Sequence, residues 1–316
     1  MLKKIILNII KITLFLLVIW YIYTNIAKNI EKIKEINFKN YDPKFMFFFV
    51  ITLFISLIYP VFVWKYLLRS MGEKINTLSA LRIWFVSNLG RYVPGKVLQI
   101  AGLVYLANKE GVSKSKAIQS VLYSQITANG LGLFMGLGLL LLKSNSIKFP
   151  NSFHLTLILI ALFIFLLWIP SFLMKSSNFV LEKFKKQTIE QSLCRRNYMI
   201  YLSLQIINWI LMSISFILFV NSYTGLSIKN NPETLFILPL SWTIGLIALF
   251  APGGIGVREG AMSYWLSNFI PIEFALVLPW IYRIMNTIVE IILTLIFAVS
   301  YKKPDILRNN KKILNK

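Results

Sequence analysis

The sequence predicts an all-α, polytopic membrane protein made of two inverted repeats, each with about three spanning helices and one re-entrant helical hairpin. Three observations carry this expectation. The chain is 57% hydrophobic and only 15% charged, against about 25% charged in ordinary soluble domains, and its mean hydropathy is +0.67. Several apolar runs exceed the roughly 20 residues needed to cross a hydrocarbon core about 30 Å thick. A Gly/Pro loop in the first half, GRYVPGKVLQIAG from Gly90 to Gly102, has a relative in the second half, LFAPGGIGVREG from Leu249 to Gly260. Pro94 pairs with Pro252, Gly95 with Gly253 and Gly102 with Gly260, always 158 positions apart, half of the 316-residue chain. The same register pairs Trp84 with Trp242, Ala117 with Ala275 and Ile126 with Ile284.

Taken in order, Lys3 and Lys4 precede an apolar run from Ile5 to about Ala27. That run is too long for a signal-peptide core and lacks a small-residue cleavage site, so it reads as a retained span. Residues 28–44 are of mixed charge, and Lys44 to about Tyr66 forms the second span, with Pro60 near its end. A short apolar segment, Leu78–Leu89, leads into the first Gly/Pro loop and resumes at Val97–Ala107. Two half-length helices around such a break read as a re-entrant hairpin. The third span runs from Ala117 to Leu142, and its Gly132 and Gly136 form a G-x-x-x-G pair suited to close helix packing. The second half repeats the scheme: spans at 153–174 and 198–220, a short run at 234–250, the PGGIGVRE loop, a half-helix to Asn268 and a last span at 274–301. The expected organisation is therefore one transmembrane domain over 1–316, with repeat 1 at about 1–145, repeat 2 at about 150–303 and a basic tail at 304–316.

Three crossings plus a hairpin per half make the two copies inverted. The net charge is +22, from 34 Lys and Arg against 12 Asp and Glu. These bases sit between apolar runs, which argues for cytoplasmic loops over a nucleic-acid-binding module. An N-terminus inside assigns Lys65, Arg69, Lys74 and Arg82, then Lys109, Lys114 and Lys116, to the cytoplasm. The block from Lys175 to Arg196 and the tail follow, which places both termini on the cytoplasmic face of the cell membrane. Residues 28–44, with five lysines, depart from the pattern. The first hairpin then enters from the cytoplasm and the second from outside.

Charges inside apolar spans cost roughly 2.5–3.5 kcal/mol each on insertion scales, so those that persist have a task or a partner. They are Arg91 and Lys96 around the first loop, Arg258 and Glu259 after the second, and Arg283 and Glu290 in the last span. Gly95, Gly253, Gly254 and Gly256, with Pro94 and Pro252, let the backbone turn and approach a ligand closely. A half-helix starting within the membrane aims free N–H groups at that ligand. Beside Arg and Lys, this favours an anionic group such as a lipid phosphate. In the last span Arg283, Thr287, Glu290 and Thr294 share one helical face, flanked by Asn286. Arg283 and Glu290 are two turns apart, so each is expected to meet a partner on another helix.

PGGIGVREG, preceded by a GRYVPGK loop and set in about this many spans, resembles the lysylphosphatidylglycerol synthase transmembrane-domain family. That is the flippase-like family that includes the membrane half of the multiple peptide resistance factor. The sharpest matches are Pro252, Gly253, Gly254, Gly256 and Glu259, joined by Arg91, Pro94, Gly95 and Lys96. The resemblance implies inverted repeats with re-entrant helices and the movement of a polar lipid between leaflets. No soluble aminoacyltransferase domain is expected with this sequence, so lipid lysinylation is not carried over. Gln99 stands where many members have an acidic residue after the first Gly-Pro turn.

Other functions find less support. One cysteine, Cys194, excludes an internal disulfide, and one histidine, His154, leaves no His/Cys metal cluster. Asp42 and Asp305 are the only aspartates, both outside the spans, and no paired carboxylates or Ser/His/Asp set suggest a membrane enzyme. The expectation is a lipid translocase, not an enzyme, with membrane lipids as partners and no cofactor or metal. An enzyme acting on a phospholipid or polyprenyl-phosphate substrate and a non-transporting scaffold are the alternatives.

Overall fold

The computed structural model describes residues 41–92, 97–142, 193–226, 231–248 and 251–299, most of 20–38, and positions 161 and 168. Most of the expected first span, nearly all of 153–174 with His154, the loop residues Pro94, Gly95 and Lys96, and the basic tail lie outside the described residues. Every regular element among the described residues is helical.

A short helix α1 (Ile30–Glu35) precedes α2 (Pro43–Ser70). The start of α2 is locally determined. The Asp42 side chain accepts from the Lys44 N–H at 2.8 Å, and Pro43 sits at the first turn, where its missing N–H has no helical acceptor anyway. The helix runs through Pro60 without ending. Helix α3 (Thr77–Asn88) passes into a single 3₁₀ turn, Leu89–Tyr92, and α4 (Val97–Lys109) follows the break. The Ser79 hydroxyl donates to Glu110 at 2.7 Å, so α3 begins where α4 ends and the two form a hairpin. Helix α5 (Lys114–Leu142) completes the first half.

In the second half, α6 (Arg195–Thr224) stops at Gly225, whose φ of 68° lies in the left-handed region and whose N–H closes on Asn221 O at 2.9 Å. A 3₁₀ turn, Pro232–Phe236, leads into α7 (Ile237–Ile247). The turn Pro252–Gly254 separates it from α8 (Val257–Leu266), and α9 (Ile272–Val299) follows. Among the described residues, α2, α6 and α9 are long and apolar enough to cross a membrane, and α5, of 29 residues, matches them in length. The chain is a membrane protein. Lys114 and Ile272, the first residues of α5 and α9, are themselves 158 positions apart.

Helices α2 and α6 pack along their lengths in opposite directions. The Asp42 N–H at the start of α2 donates to Ser222 O near the end of α6, 2.8 Å away. Seven residues on, Phe49 meets Phe219 with ring centroids 4.9 Å apart. Phe216 and Tyr282 extend this aromatic core, edge to face at 5.0 Å. The long third helix of each half leans on the other half's hairpin: α5 on α7, and α9 on α3. Small residues set the first of these contacts. A Cβ on Gly132 would fall 2.6 Å from Thr243 Oγ1, and one on Gly136 only 2.5 Å from Leu240 Cδ1. The G-x-x-x-G pair is thus spent on α7, where it lets two backbones approach.

The helices overrun the apolar windows read from sequence. Helix α2 continues four residues past Tyr66 and α6 four past residue 220. A hydropathy window ends where polar side chains begin, while backbone hydrogen bonding continues until a cap or a left-handed residue stops it. In α6 that residue is Gly225.

Candidate functional site

The breaks in the two hairpins touch. A Cβ on Gly253 in the second turn would lie 3.8 Å from Arg91 O in the first. Beside this meeting point is a cavity of about 120 Å³, several times the roughly 10–15 Å³ that one water needs. Arg91, Arg258, Arg283, Gln99, Gln125 and Glu290 supply its polar wall.

The turn that builds one side requires glycine. Gly253, Gly254 and Gly256 have φ of 59°, 70° and 83°, a region that costs an L-residue roughly 1–2 kcal/mol. At Gly254 the space is closed as well, since a Cβ would sit 2.8 Å from Gly245 O. Gly245 in turn leaves room for Arg258, whose Cβ would be 2.9 Å from any Cβ placed there. Glu259 is fully buried. One of its oxygens accepts from the Gly256 N–H at 2.8 Å, satisfying a free donor at the start of α8. The other is paired with the Arg283 guanidinium, which also donates to Gly253 O at 3.3 Å. Glu259 therefore anchors turn, half-helix and last span together and does not line the cavity.

Helix α9 presents Arg283, Asn286, Thr287 and Glu290 to the cavity as one face, as their spacing requires. Arg283 and Glu290 do not meet each other. Glu290, almost completely buried, is paired with Arg91 of the first hairpin, so an ion pair joins the two halves. Arg258 differs. Its guanidinium lies over the Trp242 ring, 3.6 Å from the centroid, and its Nε has no acceptor. Among the described residues no carboxylate stands within ion-pairing distance of it. Three guanidinium groups thus face two carboxylates, and the surplus positive charge sits on Arg258. In a low-dielectric setting such a charge seeks an anion, and a guanidinium offers the planar donor set that phosphate accepts.

A second cavity of about 160 Å³ adjoins the first and shares Arg91, Gln99, Gln125, Trp242 and Glu290 with it. Its far wall comes from α2 and α6, including Trp64, Gln205, Asn208 and Trp209. Among the described residues no three His, Cys, Asp or Glu side chains stand close enough to hold a metal.

Of the residues singled out from the sequence, Arg91, Gly253, Arg258, Arg283, Asn286 and Glu290 line the first cavity. Gly254, Gly256 and Glu259 support it from behind, and Pro252 opens the turn. Pro94, Gly95 and Lys96 belong to the undescribed segment. Gln125 carries no motif of its own in the sequence, and Trp242 stands out there only as the repeat partner of Trp84. The repeat could have found Gln125, because it lies 158 positions before Arg283. The sites on α6 carry no such mark.

The family model described as Lysylphosphatidylglycerol synthase TM region matches residues 8–294. A search of curated proteins finds no match. With almost all of the chain under that family match, the protein belongs to the family of lysylphosphatidylglycerol synthase transmembrane regions, a membrane, lipid-related family.

Proposed function

We propose that this protein is a lipid translocase of the cell membrane, moving a polar lipid with an anionic group between leaflets, and that it carries out no covalent chemistry. The observation that carries this reading is Arg258: an unneutralised guanidinium in a cavity where the two hairpin breaks meet. Arg91 and Arg283, already neutralised by Glu290 and Glu259, would complete the cradle around a phosphate and exchange partners as it arrives.

The proposal includes inverted architecture. Helices α2 and α6, counterparts at the 158 offset, run antiparallel, as the Asp42–Ser222 contact requires. Their opposition favours hairpins entering from opposite faces, and the lysine- and arginine-rich loops favour cytoplasmic termini. Alternating access would then arise from one half rocking against the other around the meeting point of the loops.

Arg258→Ala and wild type, reconstituted in vesicles carrying a fluorescent phospholipid, test this. The wild type is expected to move the lipid between leaflets and Arg258→Ala to lose most of that activity at equal incorporation. Equal transport by both proteins removes this site from the function, and conversion of labelled lipid to a new product by the wild type replaces translocation with enzymology.

A further inference from the structure

In the cavity next to the arginines the hydrogen-bond donors are spent on the protein and the oxygens are left. Gln99, Asn129, Gln205 and Asn208 line it, and each commits its carboxamide nitrogen to a protein neighbour. Gln99 Nε2 donates to Asn88 Oδ1 at 2.8 Å, and Gln205 Nε2 to the Tyr201 hydroxyl at 2.7 Å. Asn129 Nδ2 donates to Gln125 O one turn back, and Asn208 Nδ2 turns to Met212 Sδ at 4.0 Å. The Ser56 hydroxyl, on the same wall, gives its proton to Leu53 O at 2.9 Å. Trp64 and Trp209 also line the cavity. Their N–H groups are engaged too, on Ser120 Oγ at 3.0 Å and on Ala128 O at 2.9 Å.

A carboxamide whose nitrogen is spent offers its oxygen alone. Asn208 shows the consequence most clearly: it is only 8% exposed, and its Oδ1 meets no donor, a state that buried polar atoms rarely keep. Oxygens of this kind, beside indole faces that also attract positive charge, suit a cation. The charge it carries follows from the carboxylates. Divalent Ca²⁺ and Mg²⁺ are held through Asp and Glu, whereas Glu290 is the single carboxylate on this wall among the described residues and is paired with Arg91. Neutral oxygens fit a single charge. The volume, about 160 Å³, admits such an ion together with several waters. Trp242 lines both cavities, while Arg258, which lies on its ring, lines only the first.

We infer that this cavity binds a monovalent alkali-metal cation, held chiefly by Asn208 Oδ1, with the oxygens of Gln99, Asn129 and Gln205 reached directly or across water. What the ion does rests on the translocase reading. Glu290 lines both cavities. When an arriving phosphate draws Arg91 away from it, the freed carboxylate turns to the cation. Cation and anionic lipid then bind more tightly in each other's presence, and an ion gradient can drive the lipid across the membrane.

The test uses the full-length protein in detergent at constant ionic strength, with N-methylglucamine chloride replaced stepwise by sodium, potassium or tetramethylammonium chloride. The melting midpoint should rise saturably with sodium or potassium, as binding to the folded state requires, and the ion that saturates at the lower concentration is the one the site takes. Tetramethylammonium can use aromatic faces but not oxygen ligands, and should leave the midpoint where it was. Asn208→Leu should raise the half-saturating concentration about ten-fold or more. Asn208→Asp, which adds a negative charge at the same place, should lower it, and decides alone where Asn208→Leu does not fold. Phosphatidic acid should lower the wild-type value by the factor by which the cation tightens the lipid.

No saturable effect of sodium or potassium, an equal effect of tetramethylammonium, or a folded variant with the wild-type value overturns the cation site. A cation effect that phosphatidic acid leaves unchanged overturns its coupling to the lipid. A persisting cation effect in a wild-type protein that moves no lipid in vesicles overturns the translocase reading and leaves the cation site standing.

Discussion

Arg91 in the break of the first hairpin is ion-paired with Glu290 on the last long helix, 199 positions away in the chain. The contact joins the two halves at the wall of both cavities. Glu290 is nearly inaccessible there, so its charge is tolerable only while a cation faces it.

Removing one partner of this pair should therefore be worse than removing both. Arg91→Ala takes a guanidinium away from a buried carboxylate and is expected to cost about 3–5 kcal/mol, against less for Arg91→Ala combined with Glu290→Ala. Thermal unfolding of the single and double variants in detergent checks this. A double variant as unstable as the sum of the singles would mean that the pair contributes nothing as a pair.

Glu259 acts through what it holds. Glu259→Ala frees the Gly256 N–H and leaves Arg283 without its carboxylate, and each loss is of order 1–3 kcal/mol. Glu259→Gln keeps an acceptor for Gly256 and should retain more of the stability than Glu259→Ala does. Equal midpoints for the two variants would contradict the anchoring role.

The small residues of α5 are predicted to be unequal. Gly136→Ala drives a methyl into Leu240 and should destabilise by about 1–3 kcal/mol. Gly138→Ala, two residues on, meets nothing within 4 Å and should be neutral or stabilising by up to about 1 kcal/mol, since alanine is the better helix former. The same melting assay separates them.

Gly254→Ala is expected to be among the most damaging single changes. It combines a φ of 70° with a contact of 2.8 Å to a backbone oxygen, and neither can relax without moving α7 against α8. Expression and size-exclusion profile should both suffer, whereas Gly111→Ala, also at positive φ but with nothing within 4 Å, should show the strain of its φ alone.

The single cysteine gives a direct test of orientation. Cys194 is exposed and, in the proposed topology, cytoplasmic. A membrane-impermeant maleimide should label it only after the vesicle interior is opened to the reagent. Asn231→Cys in a Cys194→Ser background should be labelled from outside. The same sidedness for both positions would reject the crossing scheme that gives inverted halves.

The sequence by itself determined the membrane class, the two broken hairpins and the 158-residue register. Those features rest on local properties: apolar run length, glycine where φ must be positive, and proline where helices start or stop. It also determined that Arg283, Asn286, Thr287 and Glu290 share a face, because helical periodicity fixes that without any neighbour. Only the tertiary structure decided which carboxylate neutralises which arginine, and hence that Arg258 is left over. The pairings Arg91–Glu290 and Arg283–Glu259 span 199 and 24 positions and depend on how α9 lies against α3 and α8, which no local propensity encodes. The amide-lined cavity was out of reach for the same reason. Gln205 and Asn208 on α6 are unremarkable polar interruptions of an apolar helix until packing brings them to one wall.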